Sequence, residues 1–235
     1  LKVDGDQLFN VVKLINDIGA ARDGGVPRLL PGVNLIHGLP GETDRTFKIN
    51  YEALKKIAGA GMMLRRINIR KMQPFPGTGA ASGPHHAGAR VKNRYEYYKE
   101  KIRAEIDRVM LERVYPKGAV LNDFRVEEAR FDYSLAKQLA SYGITAVIPM
   151  PLPAKSFLNV IVTGYRERSL SALPVGFDIN TLPAKAIETI PGVGRKTAES
   201  IVLGRPFADA AALREVAGDT AAVFFRAARV RFGPL

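Results

Sequence analysis

Between residues 33 and 72 the hydrophobic pattern changes period twice, and this alternation restricts the fold more than any other feature of the chain. Val33-Asn34-Leu35-Ile36 is a short apolar run that stops at His37-Gly38 and reads as a buried strand. Thr43 or Asp44 can then cap a helix carried by Phe47, Tyr51, Leu54 and Ile57, which ends near Gly59 and Gly61. From Met63 to Met72, Ile67 and Ile69 alternate with Asn68 and Arg70, which is a strand period. Upstream, Leu8, Val11, Val12, Leu14, Ile15 and Ile18 recur at helical spacing and are closed by Gly19. Helix, strand, helix, strand with short connections predicts an α/β layer with parallel strands.

The pattern then changes three more times. Pro74 to Gly88, rich in Pro, Gly, Ala and Ser, reads as a loop. Arg90 to Val114 is the strongest helix, with Val91, Tyr95, Tyr98, Ile102, Ile106, Val109 and Met110 on one stripe. From Ala119 to Leu173, short β-type runs at Val120, Phe124–Val126, Ile144–Ile148 and Leu158–Tyr165 are punctuated by Gly143, Pro149, Pro151, Pro153 and Gly164. These predict a small β-barrel or sandwich, with Asp132–Ser141 as a helical connection. From Leu182 onward the period is helical again. The expected parts are an α/β portion over 1–88, a basic linking helix over 89–115, a small β-domain over 116–174 and an all-α domain over 175–235. No internal repeat is evident, and residues after Asp209 carry no informative pattern.

Composition bounds the chemistry. The 235 residues contain no cysteine, which excludes disulfides, a thiol nucleophile and any iron–sulfur cluster held by thiolates of this chain. Three histidines, two of them adjacent in a Gly-rich stretch, make a His-based metal site unexpected. No apolar run approaches the roughly 18 residues of a membrane span, so a soluble, cytoplasmic protein with no membrane partner is the expectation. The chain opens with Leu1 and not Met, which reads as a fragment of a longer protein. The formal net charge is +12, and residues 64–130 hold 15 basic against 8 acidic groups. A concentrated basic segment is the electrostatic footprint of a polyanion binder, although a solvated helix face would look the same.

Near the C-terminus, Ile187-Glu188-Thr189-Ile190-Pro191-Gly192-Val193-Gly194-Arg195-Lys196-Thr197-Ala198-Glu199-Ser200-Ile201 is the sharpest local signal. The glycines free backbone amides at a new helix N-terminus, which favours an anion. Lys196 in the first turn opposes the helix dipole unless an external anion accompanies it. The segment resembles a helix-hairpin-helix, a motif that grips nucleic-acid backbone without reading sequence. That resemblance assigns phosphate contacts to Gly192, Val193, Gly194 and Lys196, with Arg195 beside them. An ordinary interhelix turn or a protein-docking hairpin are the competing readings.

Two further motifs lie at the ends of the predicted strands. One is Asn34-Leu35-Ile36-His37-Gly38-Leu39-Pro40-Gly41-Glu42-Thr43, where Glu42 offers an acceptor to a ligand. The other is Ile67-Asn68-Ile69-Arg70-Lys71-Met72-Gln73-Pro74-Phe75-Pro76-Gly77-Thr78. Together they resemble the late strands of the partial (β/α) barrel of radical S-adenosylmethionine enzymes, especially the methylthiotransferase-like branch. The resemblance implies a cofactor-proximal role for His37, Gly38, Gly41, Glu42, Gln73 and Pro74, and a [4Fe–4S] cluster bound elsewhere in the full-length protein. A buried, hydrogen-bonded strand-end histidine is the alternative for His37. The middle segment resembles a TRAM-type RNA-binding barrel through Gly118, Val120, Leu121, Val126, Glu127, Gln138, Tyr142 and Arg166-x-Arg168-Ser169, with Lys137 where Arg is expected. Arg166 and Arg168 thereby join the nucleic-acid contacts.

The whole order is similar to archaeal-type radical SAM proteins with a C-terminal helix-hairpin-helix. The expected function is that of the C-terminal part of an enzyme that modifies or repairs DNA or RNA, with no catalytic or metal-ligating residue in this chain. A non-catalytic nucleic-acid-binding module and a protein-docking domain are the alternatives.

Overall fold

The computed structural model describes residues 4–23, 25–73, 75–77 and 89–233, and these form two compact units that divide at Val114/Tyr115, with Gly25 and Val26 counted in the second. Each of the two units takes in more than one of the four expected parts.

The first unit holds the α/β layer and the basic helix. Helix α1 (Gly5–Gly19) starts at Asp4, whose carboxylate accepts from the Asp6 and Gln7 amides while Gln7 returns a bond to the Asp4 amide. Strand β1 (Gly32–His37), helix α2 (Asp44–Gly59) and strand β2 (Arg66–Lys71) follow, with Thr43 as the N-cap of α2. The two strands pair in parallel from Gly32↔Arg66 to His37↔Lys71, the arrangement that the period change predicts. Alternation along β1 turns Val33, Leu35 and His37 inward. There Val33 and Leu35 share a core with Leu54, Ile57 and Ile67, together with Ile102, Ile106 and Met110 of the long helix.

That helix runs as α3 (Ala89–Ile102), a π-helical turn (Arg103–Asp107) and α4 (Arg108–Val114). The π turn admits the buried Arg103, which donates to the Ile67 carbonyl at 3.1 Å and pairs with Asp107. Asn16 of α1 locks another joint: its amide donates to Met63 O at 3.0 Å and accepts from Met63 N at 2.7 Å.

The second unit begins with a closed five-stranded barrel: β3 (Val120–Ala129), β4 (Ser134–Gln138), β5 (Thr145–Ile148), β6 (Phe157–Tyr165) and β7 (Leu170–Pro174), ordered β3-β4-β5-β7-β6. The expected helix over Asp132–Ser141 is thus corrected to strand β4. Ser134 and Ala136 are fully buried and small enough for a barrel interior, and the segment pairs on both sides.

On the barrel wall, the paired Ile161 and Leu173 share a core with the helical end. The helices are α5 (Ala184–Ile187), α6 (Arg195–Leu203), α7 (Ala210–Ala217) and α8 (Asp219–Ala228). They make two successive hairpins, α5–α6 and α7–α8. Asn180 clamps the Phe207 backbone in the manner of Asn16, accepting from its amide at 2.8 Å and donating to its carbonyl at 3.0 Å. Among the described residues no helix is long and apolar enough to cross a membrane.

Candidate functional site

Both motif loops leave the same end of the parallel pair. His37 and Lys71 are register partners, and the Met72 amide donates to His37 O at 2.7 Å, so the two chains depart side by side.

His37 is buried. Its Nδ1 lies 2.6 Å from Glu42 Oε1, and its ring stacks on Phe47 at 4.3 Å with Tyr95 edge-on at 5.8 Å. The other Glu42 oxygen accepts from the Gly38 amide. An ionised carboxylate only accepts, so with Glu42 ionised the proton of the His37 contact sits on Nδ1. Both oxygens of Glu42 therefore take part in bonds inside the loop. Glu42 folds the Gly38–Glu42 turn back onto the end of β1. His37 thus sits as a buried, hydrogen-bonded strand-end histidine. Gly41 and Gln73 remain exposed at this end of the sheet, and a Cβ on Gly41 would meet nothing within 4 Å. Pro74, His85 and His86 lie outside the described residues.

One face of the strand pair is open. Asn34, Ile36, Arg66 and Arg70 point away from the helices, and Asn68 donates to Asn34 Oδ1 at 2.8 Å across the pair. Sequence reasoning passed over these residues. The signal was there: Asn34 interrupts the apolar run of β1, and Arg66, Asn68 and Arg70 alternate with Ile67 and Ile69 in β2, which marks one face of each strand as polar. Beside the loops, Lys71 contacts Glu96 at 3.2 Å and lies 4.2 Å from the Tyr95 ring centroid. Hydrogen bonds from Lys99 and then Lys71 hold the Glu96 carboxyl below its ordinary pKa, and Glu96 raises that of Lys99. Among the described residues there is no group of three or more His, Asp or Glu able to hold a metal.

The helical hairpin presents a second set of groups. Ile187, Ile190, Ala198 and Ile201 are buried, as the motif requires. Gly192 has φ +85°, and a Cβ there would lie 2.8 Å from Thr220 Cγ2 at the start of α8. Gly194 is the extended N-cap of α6. Among the described residues the Gly192 and Gly194 amides have no hydrogen-bond acceptor. Val193 departs from expectation: its side chain is buried and its amide donates to Ile190 O at 2.9 Å, so it holds the turn and has no donor to offer a phosphate. Arg195 pairs with Glu199 at 3.1 Å in full solvent, and Lys196 is exposed. Arg166 and Arg168 are exposed on the β6–β7 turn. That turn starts β7, whereas the chain leaves for the helices from the other end of β7, so these arginines are not brought to the hairpin.

No known protein-family profile matches the chain. It is 31% identical over 228 residues, 96% of its length, to an uncharacterized protein of Archaeoglobus fulgidus. It is 40% identical over 169 residues, 71% of its length, to an uncharacterized protein of Methanocaldococcus jannaschii. The chain spans 42% and 31% of the lengths of these two relatives.

Proposed function

We propose that this chain is the C-terminal part of a radical S-adenosylmethionine enzyme that modifies or repairs a nucleic acid, with the helical hairpin holding the phosphate backbone. The observation that carries the reading is the open polar face of the β1–β2 pair, with both motif loops at one end. Parallel sheets are stable when both faces are covered, and among the described residues only one is. Helix α1 adds a second uncovered surface, since Val11, Leu14 and Ile18 are 50%, 60% and 71% exposed along one stripe. Both features suit a segment of a larger (β/α) barrel, whose ligands gather at the C-terminal ends of the strands. Gly41 and Gln73 would face the cofactor there. S-adenosylmethionine supplies, when reductively cleaved, a radical able to abstract hydrogen. The cluster that drives this cleavage does not fit this chain, which offers no thiolate, so no redox step is assigned to its residues.

The hairpin supports the nucleic-acid half. Two unsatisfied glycine amides and an exposed lysine at a helix start make a site for one phosphate. Such contacts position a backbone and read no bases.

Two measurements test the proposal. Anaerobic expression of the longer reading frame should give a protein that converts S-adenosylmethionine to 5′-deoxyadenosine; a reading frame without cluster-binding cysteines would end the catalytic half. In the second, binding of DNA and RNA oligonucleotides is titrated against salt, and Lys196→Ala should flatten the log K against log salt slope by about 0.9. An unchanged slope and affinity would remove Lys196 from the phosphate site.

A further inference from the structure

The second helical hairpin, which contributes nothing to the reading above, contains a cavity of about 390 Å³ between α7, α8 and the chain that follows them. This lies within the range of small-ligand sites, about 300–1,000 Å³. Its apolar lining includes Leu213, Phe225 and Phe232, and its polar lining is three arginines, Arg214, Arg226 and Arg229; no acidic residue lines it. Arg214 is paired with Asp219. Among the described residues neither Arg226 nor Arg229 pairs with a carboxylate. Two exposed guanidinium groups thus flank an apolar cavity with their charge uncompensated.

The cavity is separate from the phosphate site. Gly192 abuts Thr220, whereas the α8 residues of the cavity are Ala222, Phe225 and Arg226. At about 100° per residue these centre roughly 190° around α8 from Thr220. One backbone feature shapes the cavity. Arg229 ends α8 in the left-handed region, φ +53° and ψ 48°, and this turns the chain so that Val230 and Phe232 come back to the lining. Glycine is the usual residue at such a place. The arginine is kept there against its backbone preference, with its side chain among the lining groups.

We propose that the α7–α8 cavity binds an organic anion, a carboxylate or phosphate carried on an apolar body the size of a short acyl chain or one aromatic ring. The apolar body covers the half-buried Ala222, Val230 and Phe232, below which Leu213 and Phe225 are already closed off in the core, and the head group is held by Arg226 and Arg229, whose forked donors match both anions. A phosphate strand alone would have no use for the apolar floor, and a neutral apolar ligand would leave the guanidinium pair unmatched.

The test uses the whole chain and four probes: octanoate, octyl phosphate, octylammonium and inorganic phosphate. Binding is followed by NMR shifts of the Leu213, Phe225, Val230 and Phe232 side chains. The two octyl anions are expected to saturate these signals, octylammonium to leave them unmoved, and inorganic phosphate to bind at least tenfold more weakly than octyl phosphate. The Arg226→Ala/Arg229→Gly double variant should lose at least tenfold in octanoate affinity. Arg229→Gly alone should lower affinity while leaving the melting temperature equal or higher, since glycine suits the left-handed turn. That combination separates a ligand-binding arginine from a structural one. Equal binding of octylammonium, phosphate alone binding as tightly as octyl phosphate, or a double variant with unchanged affinity would each overturn the proposal. Displacement of octanoate by a 5′-phosphorylated oligonucleotide would overturn it too, by placing the cavity in the nucleic-acid footprint.

Discussion

Adding one methyl group at Gly192 meets two constraints at once. The backbone is left-handed there, and the new Cβ would sit 2.8 Å from Thr220 Cγ2 and 3.4 Å from the Ala221 amide nitrogen. Gly192→Ala should therefore destabilise the protein by roughly 1–3 kcal/mol, read from the urea midpoint. Thr220→Ala in the same chain should restore only part of this, because the φ penalty remains; full restoration would show that the clash alone mattered. Tyr51 gives a pH-dependent counterpart. Its hydroxyl donates to Glu105, and that bond, with burial and the Glu105 charge, raises its pKa to about 12. A pKa raised on folding means that the stabilisation is complete below the unfolded value, about 10, and is lost as pH rises through the folded one. Stability of the wild type relative to Tyr51→Phe should accordingly be level below pH 10 and fall between about pH 10 and 12. At this scale the sequence was only half legible. The turn residues 191–194 announced a hairpin, but that Val193 spends its amide inside the turn, and that both Glu42 oxygens are occupied, follows from contacts that no spacing encodes.

Elements show where local preference and tertiary demand part. The α/β alternation, the long basic helix and three of the five barrel strands are written in their periods, and β7 (Leu170–Pro174) lies outside the β-type runs. Strand β4 is not, because Leu135, Ala136, Lys137 and Gln138 favour a helix by intrinsic propensity. The barrel overrides that preference: Ser134 and Ala136 fill its interior while β3 and β5 satisfy the backbone on either side. The turn after β4 depends on Gly143, where a Cβ would lie 1.9 Å from the Gln138 carbonyl oxygen and 2.9 Å from its carbon. Backbone atoms cannot step aside as a rotamer can. Gly143→Ala should thus cost about 3 kcal/mol, and calorimetry of the purified variant would measure it; a loss under 1 kcal/mol would show that the 139–144 loop relaxes freely. The second hairpin escaped detection for a different reason. Gly192 and Gly218 have nearly the same backbone φ, +85° and +82°, yet the second turn keeps one glycine and carries Asp219 after it. The first turn runs seven residues between Ile187 and Arg195 and the second only through Gly218, so the glycine spacing of the first has no counterpart in the second.

At the scale of the molecule, the two units differ in how completely they close. The barrel has no free edge, and its interior residues are buried to the last atom at Phe124, Val126, Val160 and Leu170. Among the described residues the β1–β2 pair has two strands, one bare face and two unpaired edges, a form with little stability of its own. Amide exchange should expose the difference. In the isolated chain the β1 and β2 amides are expected to exchange through openings of lower free energy than those of β3 and β6, even though both sets are hydrogen-bonded. In the longer protein the reading proposed above places further strands and helices against Asn34, Asn68, Val11 and Leu14, so protection of β1 and β2 should rise there while that of the barrel stays constant. Equal protection of β1, β2 and the barrel in the isolated chain would mean that the open face needs no cover. The principal structural argument for a larger barrel would then be lost, and the hairpin alone would be left to indicate what the protein binds.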